Sequence, residues 1–510
     1  MVEFDNPSQV ERWDVFEAIC PGFEDKNPFT DYSIQGIFKG KNETVIADGF
    51  YDGYGVYRVR FMPSFTGTYS FEISGNFSDK KYSGAFEVSP AKNGNHGPVR
   101  VANSCHFAYE DATPYYSIGT TCYVWELQSE ELQKKTLETL AASAFNKIRF
   151  CIFPKHYIYN FNEPCSYPYE GTPMDSSVLT RENFKKYTGA SQGNNWDFNR
   201  FNPGHFRRVE KSIMALRDLG IEADLIIMHP YDRWGFSTMN KMEDDLYWNY
   251  VIARFSAYRN VWWSLANEYD LMPQKSIADW ERYAAIICEK DPYNHLRSIH
   301  NCRRYYDYSR PWITHCSIQR TDIYKCAEYV ADWRTRYQKP VVLDEIAYEG
   351  NIEKGWGNIS GRELVRRFWE ATCRGGYAGH GETYTHPKDI LWWSHGGELH
   401  GESPDRLKFL YSILSETPGL GLKPIDLGNT DEVAATVDFL RVESGYYLIY
   451  YSFSRPSFRE FYFDDTNSYH VEVIDTWGMS IEDRGIHRGS FRVELPGREY
   501  MAIRIQRKES

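Results

Sequence analysis

The chain predicts an α/β protein: a (β/α)8 TIM-type barrel flanked by N- and C-terminal β-sandwich domains. Three observations predict it. Between residues 99 and 425, amphipathic helical stretches alternate with short buried apolar runs, the pattern of parallel β/α units. About eight such runs over roughly 300 residues favour a closed barrel over an open sheet. On either side, the period of the apolar residues drops to two and glycines punctuate the turns. The expected domains are 1–92, 93–425 and 426–510.

In the first domain, Val56–Phe61, Thr68–Ser74 and Tyr82–Val88 alternate apolar and polar residues, with Pro63, Gly67 and Gly75-Asn76 between them. The segment 91–98 reads as the exit linker. The barrel opens with the apolar run Tyr116–Tyr123. Ser129 then reads as an N-cap, with Glu130 and Glu131 in the first helical turn, where the helix dipole favours anions. Leu132, Leu137, Leu140, Ala141 and Ala144 make its apolar stripe, and the strand Lys147–Phe153 follows.

In the next helix Phe206, Val209, Ile213, Leu216 and Leu219 share one face, and Gly220 stands where a terminating glycine is expected, before the run Leu225–Met228. The same reading gives helices at 243–257, 276–289, 323–337 and 361–373, and strands at 261–266, 296–300, 312–318, 341–346 and 377–384. In the last domain Tyr446–Phe453, Tyr469–Asp475 and Phe491–Leu495 are strand-like.

At 510 residues the chain can bury a large core without disulfides or metals. The net charge of −12 argues against nucleic acid or an anionic membrane as partner. The ten cysteines include no C-x-x-C pair, and free thiols in a reducing compartment are the simplest account. Met1–Asp5 lacks a basic and an apolar leader segment, and no apolar run is long enough to span a bilayer, so the expected location is cytoplasmic. Aromatic residues make up 16% of the chain, which suits faces that stack on sugar rings as well as core packing or a homo-oligomeric interface.

In a barrel the active site lies at the C-terminal ends of the strands. Two apolar runs end there in a glutamate: Val261–Ala266 in Asn267-Glu268, about the fourth strand, and Val341–Leu343 in Asp344-Glu345, about the seventh. Strands four and seven can face each other across a barrel mouth, and glycoside hydrolysis needs a facing carboxylate pair. Asp344 and Glu349 compete with Glu345. Asp344 should point to the opposite side of the strand, and Glu349 lies beyond it in the loop. His229 ends strand three and His315 is placed after strand six; either can bind hydroxyls or orient a glutamate, or be a satisfied polar residue. Trp125, Trp234, Trp392 and Trp393 are candidates for a sugar-stacking floor, against core packing as the alternative. Trp392, Trp393 and His395 lie in the segment 392–397, read as a glycine-containing loop after strand eight. No zinc-type spacing or phosphate-binding glycine motif is present, and no metal or cofactor is expected.

These segments resemble clan A glycoside hydrolases, with Asn-Glu after strand four and Glu after strand seven. Gly119–Trp125, Arg366–Trp369 and Gly375–Tyr384 look like the apiosidase-like (DUF4038-type) barrel hydrolases. The tail Val473–Gly478 with Leu495–Arg498 looks like their DUF5605-like C-terminal sandwich, and a DUF5060-like sandwich precedes the barrel. The resemblance covers nearly the whole chain. It implies a retaining mechanism with Glu345 as nucleophile and Glu268 as acid/base, Asn267 on the sugar 2-hydroxyl, and Arg149, on strand two, near the nucleophile. The expected substrate is a small glycoside or imported oligosaccharide. A transglycosylase would use the same residues. A non-catalytic carbohydrate-binding barrel would have no chemical reason to keep both glutamates, and an unrelated metal-dependent barrel enzyme lacks its ligands here.

Overall fold

The computed structural model describes residues 7–189, 191–438 and 445–508. Met1–Asp5 lies outside them. Eight parallel strands form one sheet: Ile118–Thr121, Lys147–Cys151, Glu222–Met228, Val261–Ala266, Arg297–Ser298, Cys316–Gln319, Val341–Glu345 and Tyr377–His380, numbered one to eight below. Strand one pairs with both two and eight, so the sheet curls into a barrel. The ring closes between five and six through a single bridge, His300 to Ser317. The Ser298 hydroxyl reinforces this seam, donating to the His315 carbonyl at 2.5 Å and accepting from the Ser317 amide at 3.2 Å.

Local chemistry explains the helices between them. Ser129 accepts from the Leu132 amide and starts helix Glu130–Ala142. Helix Pro203–Asp218 begins behind Asn202 and ends before Gly220, whose φ of +70° only glycine adopts freely. Helix Lys241–Phe255 carries a reciprocal cap between Asn240 and Glu243. The stretch expected as one helix over 323–337 splits into a 3-10 turn, Ala327–Tyr329, and helix Val330–Tyr337. The sequence reading did not foresee helix Ser403–Ser415, which completes the eighth unit.

β-rich layers stand on both sides. A five-stranded and a three-stranded sheet near the N-terminus enclose a core with Phe16, Phe38, Phe61, Phe71 and Phe86. Arg60 of this sandwich pairs with Glu210 of the barrel, which also binds Arg254 at 2.9 Å. Near the C-terminus, a six-stranded and a two-stranded sheet enclose Ile449, Val471, Val493 and Ile503. This layer docks through Tyr450, stacked 5.4 Å from Trp369 of helix Gly361–Cys373. No helix among the described residues is long and apolar enough to cross a membrane.

Two features of the barrel interior position the site. First, a three-stranded hairpin, Val99–Ala102, His106–Tyr109 and Pro114–Tyr115, plugs the N-terminal end. Its Phe107 packs 5.1 Å from Trp262 and 5.2 Å from Tyr377. Second, a sealed ionic layer lies above the plug. Lys147 reaches Asp224 at 2.7 Å and Asp344 at 2.6 Å, and Ser317 donates to Asp344. All three charged groups are buried, so each depends on the others for compensation. Lys147 and Arg149 hold Asp344 well below the usual carboxylate range, while burial pushes Asp224 up.

Replacing Lys147 by Met leaves two buried aspartates without their shared cation. The expected cost is roughly 3–5 kcal/mol, measured as a drop in the urea midpoint of the barrel. A loss below about 1 kcal/mol would mean that one aspartate is neutral and the layer needs no lysine.

Candidate active site

Arg149 rises from the ionic layer to the barrel mouth. Its Nε lies 3.8 Å from Asp224 and 3.9 Å from Asp344, which hold the guanidinium from below. Its Nη2 donates to Asn267 Oδ1 at 3.1 Å, and its Nη1 reaches Glu345 Oε1 at 3.5 Å. Arg149, Asn267 and Glu345, on strands two, four and seven, therefore meet at one point.

Strand seven brings Glu345 there through an irregularity. Ser317 pairs with Val342 and Gln319 with Glu345, so Ile318 faces two residues, Leu343 and Asp344. The extra residue breaks the alternation and turns Glu345 toward the mouth. The expectation that Asp344 points to the opposite side is corrected: both carboxylates reach Arg149, Asp344 from inside the barrel and Glu345 from its rim. Glu349 is not a rival. It is buried, and accepts from the Glu402 and Ser403 amides at 2.7 and 3.0 Å, at the N-terminus of helix Ser403–Ser415.

Glu268 is set differently. Neighbouring strands hold the backbone on both sides of it: the Asn267 amide donates to Met228 and the Tyr269 amide to His300. Between these two anchors Glu268 takes φ +53°, in the left-handed region. Burial pushes its carboxyl up to about 7, with the Glu345 charge adding to the shift; a hydrogen bond from Tyr231 opposes it. Glu345, by contrast, accepts from the Tyr123 hydroxyl as well as Arg149. Asn267 receives a bond at its oxygen from Arg149, while its buried Nδ2 has no protein partner and is free to donate.

The other candidates divide. Trp393 forms the wall, edge-on to Tyr123 at 5.5 Å and 5.1 Å from Trp356. His229 stands behind the site, its Nε2 on the Phe153 carbonyl and its ring parallel to Tyr231; burial holds it neutral, with a pKa of about 3. Trp234 and His395 line a small cavity of about 60 Å³, shared with Lys155, rather than touching Glu268 or Glu345.

Three placements are corrections. His315 precedes strand six instead of following it, and packs at the plugged end 5.2 Å from Trp262, because the strand starts at Cys316. Trp125 is fully buried against Phe150 outside the mouth. Trp392 is core, its indole bonded to Thr120.

Sequence reasoning missed Tyr123, Tyr231, Lys155 and Gln319. The two tyrosines sit inside motifs already noted, but nothing in their spacing shows which carboxylate they meet. Glu349, His380 and Glu382 gather within 4.8 Å of one another, a metal-like grouping. The oxygens of its glutamates already accept backbone amides from the start of helix Ser403–Ser415, whose positive end disfavours a cation.

The arrangement has a direct test. The Glu268 carboxyl should titrate near 7 by carbon NMR, and lower in Glu345→Gln, because removing the neighbouring charge removes part of the upward push. An unmoved midpoint would show that the two carboxyls do not interact.

Three family models match the chain. The apiosidase-like catalytic domain matches residues 102–406, and two domains of unknown function, DUF5060 and DUF5605, match 9–76 and 435–506. Among solved structures, a protein from Bacteroides vulgatus ATCC 8482, described as a candidate glycoside hydrolase, is 34% identical over 98% of this chain and 100% of its own, with a TM-score of 0.89. A glycoside hydrolase family 5 structure from the same organism is 14% identical over 81% of this chain and 94% of its own, with a TM-score of 0.58, and shares the fold. No curated protein matches. With its catalytic-domain match spanning more than half of its length, the chain belongs to the apiosidase-like family and is a glycosidase on a (β/α)8 barrel.

Proposed function

We propose that the chain is a retaining glycoside hydrolase that releases a terminal sugar from a small glycoside or oligosaccharide by double displacement. Glu345 is the nucleophile and Glu268 the acid/base. The observation that carries this reading is the unequal setting of two neighbouring carboxyls. One accepts an arginine and a tyrosine, as an ionised nucleophile requires; the other is buried with a raised pKa, as a general acid requires.

In the first step a Glu345 oxygen bonds to the anomeric carbon. The bond to the leaving oxygen breaks, and that oxygen takes the Glu268 proton. In the second step Glu268, now a carboxylate, accepts a proton from water as the water oxygen displaces Glu345. The free Asn267 Nδ2 is available to a hydroxyl beside the anomeric carbon, where such a bond strengthens toward the transition state. Arg149 keeps Glu345 oriented between turnovers. The ten cysteines are all free thiols, which fits an intracellular enzyme acting on an imported substrate.

A panel of aryl pyranosides and furanosides in both anomers tests this. One sugar should turn over, and Glu268→Ala and Glu345→Ala should each lower the rate by about three orders of magnitude. Turnover that survives both changes removes the assignment, and a first-formed product of inverted anomer removes double displacement.

The pH profile follows from the same roles. Activity should fall as pH rises through about 7, where Glu268 loses the proton it must donate. A flat rate from pH 6 to 9 would exclude Glu268 as the acid.

A further inference from the structure

Lys155 is a charged residue in the site with no role in the scheme above. It follows strand two after Pro154 and is buried. Among the described residues it makes no ion pair. Its ammonium lies instead on aromatic faces, 3.1 Å from the Tyr123 ring centre, 4.3 Å from Tyr231 and 4.8 Å from Trp393. The same two tyrosines donate to the catalytic carboxyls: Tyr123 to Glu345 and Tyr231 to Glu268.

Resting on the glycosidase reading, we propose that Lys155 is a positioning residue that acts on both carboxyls at once through the two tyrosines it stacks on. A cation on a ring face is held by the ring's negative quadrupole and draws electron density from the phenol, which makes the hydroxyl a stronger donor. One charge thus strengthens two hydrogen bonds, one to each member of the pair. The rings also keep the ammonium off Glu268. A direct contact would hold that carboxyl ionised and cost it the proton it donates.

The charged and titratable groups around Lys155 are Glu268, Glu345, Arg149, Cys151, His229 and His300. Burial keeps both histidines neutral and the Cys151 thiol protonated, so the glutamates and Arg149 set the field. Burial also lowers the lysine to about 8, so the cation begins to be lost only on the alkaline side of the working range.

The experiment is the pH dependence of kcat and KM for wild type, Lys155→Met, Lys155→Arg, Tyr123→Phe and Tyr231→Phe. In Lys155→Met, kcat should fall on the order of tenfold with KM little changed, and the alkaline limb of the profile should move to higher pH, since Glu268 loses support. Tyr231→Phe should move the alkaline limb in the same direction, and Tyr123→Phe should lower kcat without moving it. Lys155→Arg should return the alkaline limb toward wild type. Lys155→Met combined with Tyr231→Phe should shift the alkaline limb less than the sum of the single changes.

An alkaline limb that stays in place in Lys155→Met, or shifts that simply add, overturn the proposal. So does a rise in KM alone, which would make Lys155 a substrate contact. Unfolding of Lys155→Met leaves the two tyrosine variants and Lys155→Arg to decide it. If Glu268→Ala and Glu345→Ala abolish turnover while Lys155→Met changes nothing, only the lysine's role falls. If the glutamate variants stay active, the site reading falls first.

Discussion

Arg149 stands on a buried ionic layer, and the geometry of the mouth depends on that support. A guanidinium inside a barrel is costly to desolvate unless anions meet it. Asp224 and Asp344 meet it from below, and Lys147 neutralises the excess negative charge. Held in this way, its upper nitrogens have fixed directions, one to Asn267 and one to Glu345. The hairpin around Phe107 closes the other end. Without the plug, water would reach the layer and weaken the electrostatics that orient Arg149.

Above that point the site works by difference. Two carboxyls of the same chemical type lie close enough to interact, and in the proposed mechanism their surroundings separate their tasks. Strand seven carries an extra residue that delivers Glu345 to charged and phenolic donors. Strand four ends between two backbone anchors that set Glu268 beside Tyr231, where burial raises its carboxyl. Tyr123, Tyr157, Tyr231 and Trp393 surround both and keep the field strong by excluding solvent.

Much of this was legible from local pattern. Ser129 and Gly220 mark helix ends because capping is chemistry within one turn, and both stand where expected. The two glutamates stand at the ends of strands four and seven, as the apolar runs before them indicate. What stayed hidden depends on contacts between distant segments. Nothing near Lys155 announces that it will lie on Tyr123 and Tyr231. The bulge at Leu343–Asp344 adds a residue to an apolar run without changing its character, so strict alternation misplaced Asp344. His315 was misassigned by a strand boundary. It precedes strand six, and that moved it from the mouth to the plug.

The left-handed backbone of Glu268 has an evolutionary consequence. A β-carbon at that φ costs on the order of 1 kcal/mol, which glycine would recover. Thermodynamic drift at this position therefore runs against the carboxylate, and under the proposed mechanism selection for turnover opposes that drift. A duplicated copy released from that selection would gain stability by losing the glutamate, and would persist as a well-folded pseudoenzyme.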